Sequence, residues 1–191
     1  MKHLAFVSLR AMLVFTVLTG VVYPFLMTVV AQLLFPHQAN GSLIVRETTV
    51  VGSELVGQDF ESDQYFWPRP SAIDYEPMPS GSSNAGPTSS ALRDSVRERR
   101  SRFFVRNHLQ PDTPVPTDML FSSASGVDPH ISPEGALLQV NRIAGARGFD
   151  STKTVALADL IGRMTEPRQF GVLGEPRVNV LHLNLALDRM R

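Results

Sequence analysis

The stretch AMLVFTVLTGVVYPFLMTVVAQLLF, residues 11–35, runs for twenty-five positions without a formal charge. Only Thr16, Thr19, Tyr23, Thr28 and Gln32 interrupt a run rich in Leu, Val, Phe and Met. As a helix it would be ~38 Å long at ~1.5 Å per residue, against ~30 Å of bilayer hydrocarbon. It therefore reads as one membrane-spanning helix that tilts, kinks at Pro24 or emerges at one end. The roughly 150 residues that follow do not repeat the pattern. Three regions result: a short N-terminal segment, 1–10; the span, 11–35; and one soluble domain, 36–191.

A cleaved signal peptide is the competing reading, because Lys2 and Arg10 make a basic start and Val29-Val30-Ala31 is a passable cleavage site. The apolar run continues through Leu33-Leu34-Phe35, beyond the ~7–15 residues of a signal core, so the anchor is expected to stay. Lys2, Arg10 and the amino terminus precede the span, whereas the first Lys or Arg after it is Arg46, next to Glu47. Cations favour the cytoplasmic side, which puts residues 1–10 inside and the domain outside the cell membrane.

Eighteen Lys and Arg balance eighteen Asp and Glu. The chain thus has neither the basic footprint of a nucleic-acid binder nor a polybasic lipid-binding surface. Cysteine is absent, which excludes disulfides, thiolate zinc sites and Cys nucleophiles. A domain of this size can hold together by an ordinary apolar core.

Beyond the span, Leu43-Ile44-Val45 and residues 48–51 have the β-branched content of strands, punctuated by Gly52-Ser53. Residues 59–87 carry Pro68, Pro70, Pro77, Pro79 and Pro87 together with the cluster Tyr65-Phe66-Trp67. They read as a long ordered loop. Residues 88–108 read as a helix with a hydroxyl N-cap, apolar Leu92, Val96 and Phe103 on one side, and the run Arg97-Glu98-Arg99-Arg100-Ser101-Arg102 as a solvated face. Ser132-Pro133-Glu134 opens a helix with Leu137, Val140 and Ala144 on its apolar stripe, ending at Gly148. Ser151 caps the next, with Val155, Leu157, Leu160, Ile161 and Met164 on its buried side. Leu181, Leu183, Leu185 and Leu187 alternate with His182, Asn184, Ala186 and Asp188, the pattern of a half-buried strand, although Leu and Ala also suit a helix. The fold class is α+β: a single N-terminal transmembrane helix followed by one mixed α/β soluble domain.

Chemistry is sparse. Ser122, Ser123, Ser125, Asp128 and His130 crowd together, but no G-x-S-x-G turn aims a nucleophile, and residues 124–133 read as turn chemistry leading into a capped helix. Asp128 and His130 could offer two metal ligands, yet the other histidines are scattered, so no metal site is expected. No phosphate-binding loop occurs. Asp150-Ser151-Thr152-Lys153-Thr154 lacks the Lys directly after Asp that the phosphorylated loop of cation pumps requires.

Taken in order, several blocks carry a resemblance: Phe35-Pro36-His37-Gln38-Ala39-Asn40-Gly41-Ser42, Gly57-Gln58-Asp59-Phe60, Tyr65-Phe66-Trp67-Pro68-Arg69-Pro70-Ser71-Ala72, Ser80-Gly81-Ser82-Ser83-Asn84, Ser125-Gly126-Val127-Asp128-Pro129-His130-Ile131-Ser132-Pro133, Gly174-Glu175-Pro176-Arg177-Val178-Asn179-Val180 and Leu183-Asn184-Leu185-Ala186-Leu187-Asp188. Together they resemble the C subunit (KdpC) family of the Kdp potassium-transporting P-type ATPase, from the anchor almost to the end of the chain. Thr88-Ser89-Ser90 departs from the family's usual Asn-Pro pair, and Ser82 replaces a usual Gly.

The resemblance implies a non-catalytic accessory subunit of a potassium uptake complex in the bacterial inner membrane. Its partners would be a potassium-translocating subunit, a catalytic P-type ATPase subunit, a small membrane subunit and the lipid bilayer. It further implies no stably bound cofactor, potassium as the transported ion, and a role as catalytic chaperone that assists assembly and raises ATP affinity. In that role ATP is shared with the catalytic subunit through Gln139. The alternative is an extracytoplasmic cap on the potassium-translocating subunit without nucleotide contact. The cation asymmetry favours that alternative, because it puts Gln139 across the membrane from cytoplasmic ATP and leaves it an ordinary exposed helix residue. Tyr65, Phe66, Trp67 and Arg69, with Asp128 and His130, are the expected partner contacts, since aromatics and Arg dominate interface energetics.

Overall fold

The computed structural model describes residues 2–190, which divide into two compact units, one ending at Val51 and one beginning at Gly52. In the first, the uncharged run is helical but the helix starts earlier than the apolar stretch. It comprises α1 (Lys2–Val17), a π-helical turn (Leu18–Val22) and α2 (Tyr23–Leu34). Lys2–Leu34 is long and apolar enough to cross a membrane. The disturbance expected at Pro24 takes the form of the π turn on its N-terminal side. Proline lacks an N–H and its ring crowds the carbonyl four residues back, and widening the helix there absorbs both, with Tyr23 N–H donating to Leu18 O. Thr19 and Thr28 donate their hydroxyls back into the helix, to the carbonyls of Phe15 at 2.7 Å and Pro24 at 2.8 Å, which satisfies these two donors without water.

A short helix, α3 (Pro36–Ala39), leads to the paired strands β1 (Leu43–Arg46) and β2 (Thr49–Ser53). Glu47 and Thr48 connect them with φ of 49° and 73°, the left-handed geometry that a two-residue hairpin demands.

In the second unit, no regular element interrupts the chain between β2 and α4 (Ser90–Arg106), as the proline-rich composition leads one to expect. Ser89 caps α4 by accepting from Leu92 N–H. A single 3-10 turn (Thr117–Met119) precedes β3 (His130–Ile131). Ser132 caps α5 (Pro133–Leu137) through Gly135 N–H, and the chain re-enters helix as α6 (Val140–Arg147) after a break at Leu138 and Gln139. The expected single helix is therefore two. Its end is where composition places it: Gly148 closes α6 at φ 65°, a conformation in which a side chain would be strained. Asp150, not Ser151, caps α7 (Ser151–Met164), by accepting from Lys153 N–H. Leu157, Leu160 and Ile161 are buried, whereas Val155 is on the exposed side.

After α7 the chain leaves the core as an arm before returning as β4 (Val178–Asn179), which pairs antiparallel with β3 through His130↔Asn179 and Ile131↔Val178. The last element is α8 (Val180–Leu187), a correction to the strand expected from the alternating leucines. Asn179 supplies the cap, accepting from His182 N–H at 3.1 Å. The buried positions Val180, Leu183, Asn184 and Leu187 then recur at helical spacing. Leu and Ala carry no β-branch, so once a cap is available the helix is the lower-energy use of this segment. One core gathers Phe66, Phe103, Ile131, Ile143, Leu157 and Leu183 from all these elements.

Candidate functional site

Two of the three clustered aromatics of the long loop turn inward. Phe66 is fully buried and Trp67 is 8% exposed. Two side-chain amides hold this irregular backbone in place. Asn184 on α8 accepts from Phe66 N–H at 2.8 Å and donates to Phe66 O at 3.0 Å. Gln139, in the break between α5 and α6, accepts from Trp67 N–H at 2.7 Å and donates to Trp67 O at 3.3 Å. Each amide thus pairs with the main chain as a neighbouring strand would, which is what a buried loop needs when no strand is at hand.

Arg142 completes the cluster. It donates from Nη2 to Gln139 Oε1 at 2.7 Å, from Nε to Asn107 Oδ1 at 2.9 Å and from Nη1 to Asp63 O at 2.8 Å. Its guanidinium lies 4.0 Å from the centre of the Trp67 ring, a cation–π contact strengthened by the burial of both groups. Burial lowers the Arg142 pKa to about 10, partly offset by Asp63. Trp67 Nε1 donates to Ser62 O at 3.1 Å. Arg102 and Arg106 on α4 pair with Glu61 at 3.3 Å and Asp63 at 2.7 Å. The arginine run is nonetheless the solvated face expected of it except at Arg99: Arg97, Glu98, Arg100, Ser101 and Arg102 are exposed, whereas Arg99 is half-buried and reaches Leu120 O at 3.2 Å.

Gln139 is not an exposed helix residue. It is fully buried, and Oε1 accepts two hydrogen bonds while Nε2 donates two, the second to Gly135 O at 3.1 Å. That exhausts the four positions an amide offers. Arg142, Asn107 and Asn184 were not singled out as functional by sequence reasoning. Asn184 sat on the polar side of the alternating leucines, and nothing around Arg142 or Asn107 signals burial.

The remaining expected contacts stay nearer the surface. Tyr65 is half-buried, with its hydroxyl donating to Asp188 at 3.4 Å and its ring 5.0 Å from the Arg147 guanidinium. Arg69 pairs with Asp128 at 2.8 Å, and Asp128 accepts from His130 N–H at 3.0 Å with the His130 ring Nδ1 at 3.3 Å. The structure thus brings together Arg69, Asp128 and His130, three residues that the sequence placed in two separate blocks. Burial opposes ionisation of Asp128, but the His130 ring and backbone N–H together with the Arg69 guanidinium outweigh it and bring its pKa down to about 2. Ser125 Oγ accepts from Val127 N–H within the preceding turn. Gly126 closes that turn at φ 75°, and a Cβ there would lie 2.4 Å from the Ile73 side chain; only glycine fits. Tyr75 donates its hydroxyl to Arg69 O, and burial with the nearby Asp59 pushes its pKa up. A cavity of about 250 Å³ opens beside Trp67, Tyr75 and Phe103, rimmed by Asp59 and Arg99. Burial and Glu61 raise the Asp59 pKa.

A loop pinned by amide clamps and packed through Ile73 against a turn that can hold only glycine is a set of restraints spread over the domain. Residues 5–189 match the family described as KdpC: K+-transporting ATPase, c chain. The chain belongs to the KdpC family. Similar proteins include the potassium-transporting ATPase KdpC subunits of Methylococcus capsulatus, 50% identical over 188 residues with 96% of each chain covered, and of Geobacter metallireducens, 46% identical over 187 residues with 96% of each covered. The KdpC subunit of Gemmatimonas aurantiaca is 51% identical over 189 residues, covering 95% of this chain and 92% of that one. Membership of the KdpC family makes this chain a subunit of a K+-transporting ATPase with a candidate membrane anchor at its N-terminus.

Proposed function

We propose that this chain is a non-catalytic accessory subunit whose domain lies outside the bacterial inner membrane and acts on potassium uptake by docking on the potassium-translocating subunit. The observation that carries this reading is the complete use of Gln139: buried, with all four hydrogen-bonding positions taken inside the domain, it has nothing left to offer a nucleotide. An effect on ATP affinity at the catalytic subunit is then transmitted through the assembly, which also includes the small membrane subunit, and not through a shared ATP molecule. Phe66 and Trp67 shape the docking surface from within by holding the loop. Arg69, Asp128 and His130, each about a quarter exposed, together with half-buried Tyr65, are the members of the expected set with surface left to contact a partner.

The cation asymmetry around the span supports the same topology. A compartment-sensitive reporter fused after Arg191 tests it. Activity on the outer side is the expected result; a cytoplasmic signal would return the domain to the nucleotide's compartment and overturn the reading.

A further inference from the structure

Between α7 and β4 the chain projects from the core, and every residue from 166 to 176 is exposed. The projection is not loose. Glu166 and Arg177 exchange backbone hydrogen bonds at 2.8 and 3.1 Å, and Gln169 and Leu173 do so at 2.9 Å each way. Two ion pairs cross the same stem, Arg177–Glu166 at 2.8 Å and Arg168–Glu175 at 2.5 Å. At its end stand Phe170, Val172 and Leu173, exposed by 91%, 72% and 57%. Phe170 has φ 53°, a left-handed conformation that costs an aromatic residue free energy and persists where its surroundings require it.

We infer that this tip is an anchor that inserts Phe170 into an apolar cleft on another polypeptide of the K+-transporting ATPase. The inference rests on the docking reading above and names the contact. Among the described residues nothing covers the tip, and a braced stem lowers the entropy lost when the ring is immobilised. Charge decides between a protein cleft and a lipid surface. Loops that enter bilayers couple apolar tips to Lys and Arg, which anionic headgroups attract. Here the stem's two acids, Glu166 and Glu175, are matched one to one by Arg177 and Arg168, so the stem itself carries no unpaired cation to offer headgroups. A neutral, ion-paired collar around a protruding aromatic instead matches an interface anchor, apolar at its centre and polar at its rim.

A photoreactive phenylalanine analogue at position 170, introduced into the full complex in native membranes, tests this directly. The expected product is an adduct with a different subunit. Adducts with lipid, with a second copy of this chain, or with nothing overturn the inference. The same analogue at Val105, on the exposed side of α4, and at other exposed positions of the domain separates the two levels. Adducts from those positions but not from 170 remove the anchor and leave docking intact, whereas silence from every position removes both. Phe170→Ser supplies the second arm: co-purification with the complex should fall about tenfold, while the domain's unfolding midpoint stays unchanged. Full co-purification of that variant would overturn the anchor role even if an adduct forms.

Discussion

Two irregular segments of this domain carry aromatic side chains, and they are used in opposite ways. Around Phe66 and Trp67 every backbone polar group of the two residues finds a side-chain amide, and an arginine is spent beneath the indole. Around Phe170 the neighbours Gln169 and Leu173 pair with each other within the arm, and the ring faces outward. Aromatic content alone therefore does not say whether a loop belongs to the core or to an interface. What distinguishes the two is whether distant residues supply hydrogen-bond partners that make burial affordable.

The contrast can be broken most forcefully at Arg142. Arg142→Met should cost about 3–5 kcal/mol, because it leaves Asn107 Oδ1 unpaired in a buried site and removes the support under Trp67. Urea unfolding of the full chain in detergent would measure it. A loss below about 1 kcal/mol would mean that the loop does not depend on the cluster. Gln139→Leu should cost about 2–3 kcal/mol by stranding the Trp67 N–H and C=O. If that variant kept full stability yet weakened the ATP affinity of the assembled complex, the internal clamp would be the wrong account of Gln139.

A smaller effect belongs to the Arg69–Asp128–His130 group, which lies between the two extremes of exposure. The folded-state pKa of Asp128 is below the ordinary carboxylate value of 3.8, so its stabilisation is present above that pH and is lost as pH falls toward about 2. Asp128→Asn should therefore lower stability by about 1–2 kcal/mol at pH 7 and flatten the acid limb of the stability profile between about pH 4 and 2. An unchanged limb in thermal melts across that range would assign the acid sensitivity elsewhere. The smallest change should come from Phe170→Ser, within about 0.5 kcal/mol of the parent, since a ring that packs on nothing contributes nothing to the core. A large loss there would show that the arm is part of the folded framework.

Much of the architecture was legible without coordinates because its signals are local. Ser89 and Ser132 cap helices, Gly148 ends one, and residues 59–87 are too rich in proline for any regular element. Even the misassigned cap at Ser151 erred by one position, since Asp150 competes for the same N–H groups. The candidate site was less legible. Gln139 read as a surface helix residue because its burial depends on Trp67, 72 positions away. The alternating leucines read as a strand because their period is a local signal, whereas Asn179 acts as a helix cap only once β4 holds its backbone extended.

The sequence by itself determined the apolar N-terminal helix, a candidate anchor, the α+β class and the family, since an uncharged run, helix caps and ordered motif blocks are properties of neighbouring residues. Only the tertiary structure decided that Phe66 and Trp67 turn inward, that Gln139 has every hydrogen-bonding position taken, that residues 180–187 form a helix, and that Phe170 is left uncovered. Each of these depends on partners brought close by folding, and the balance between desolvation and hydrogen bonding is settled only once those partners are in place.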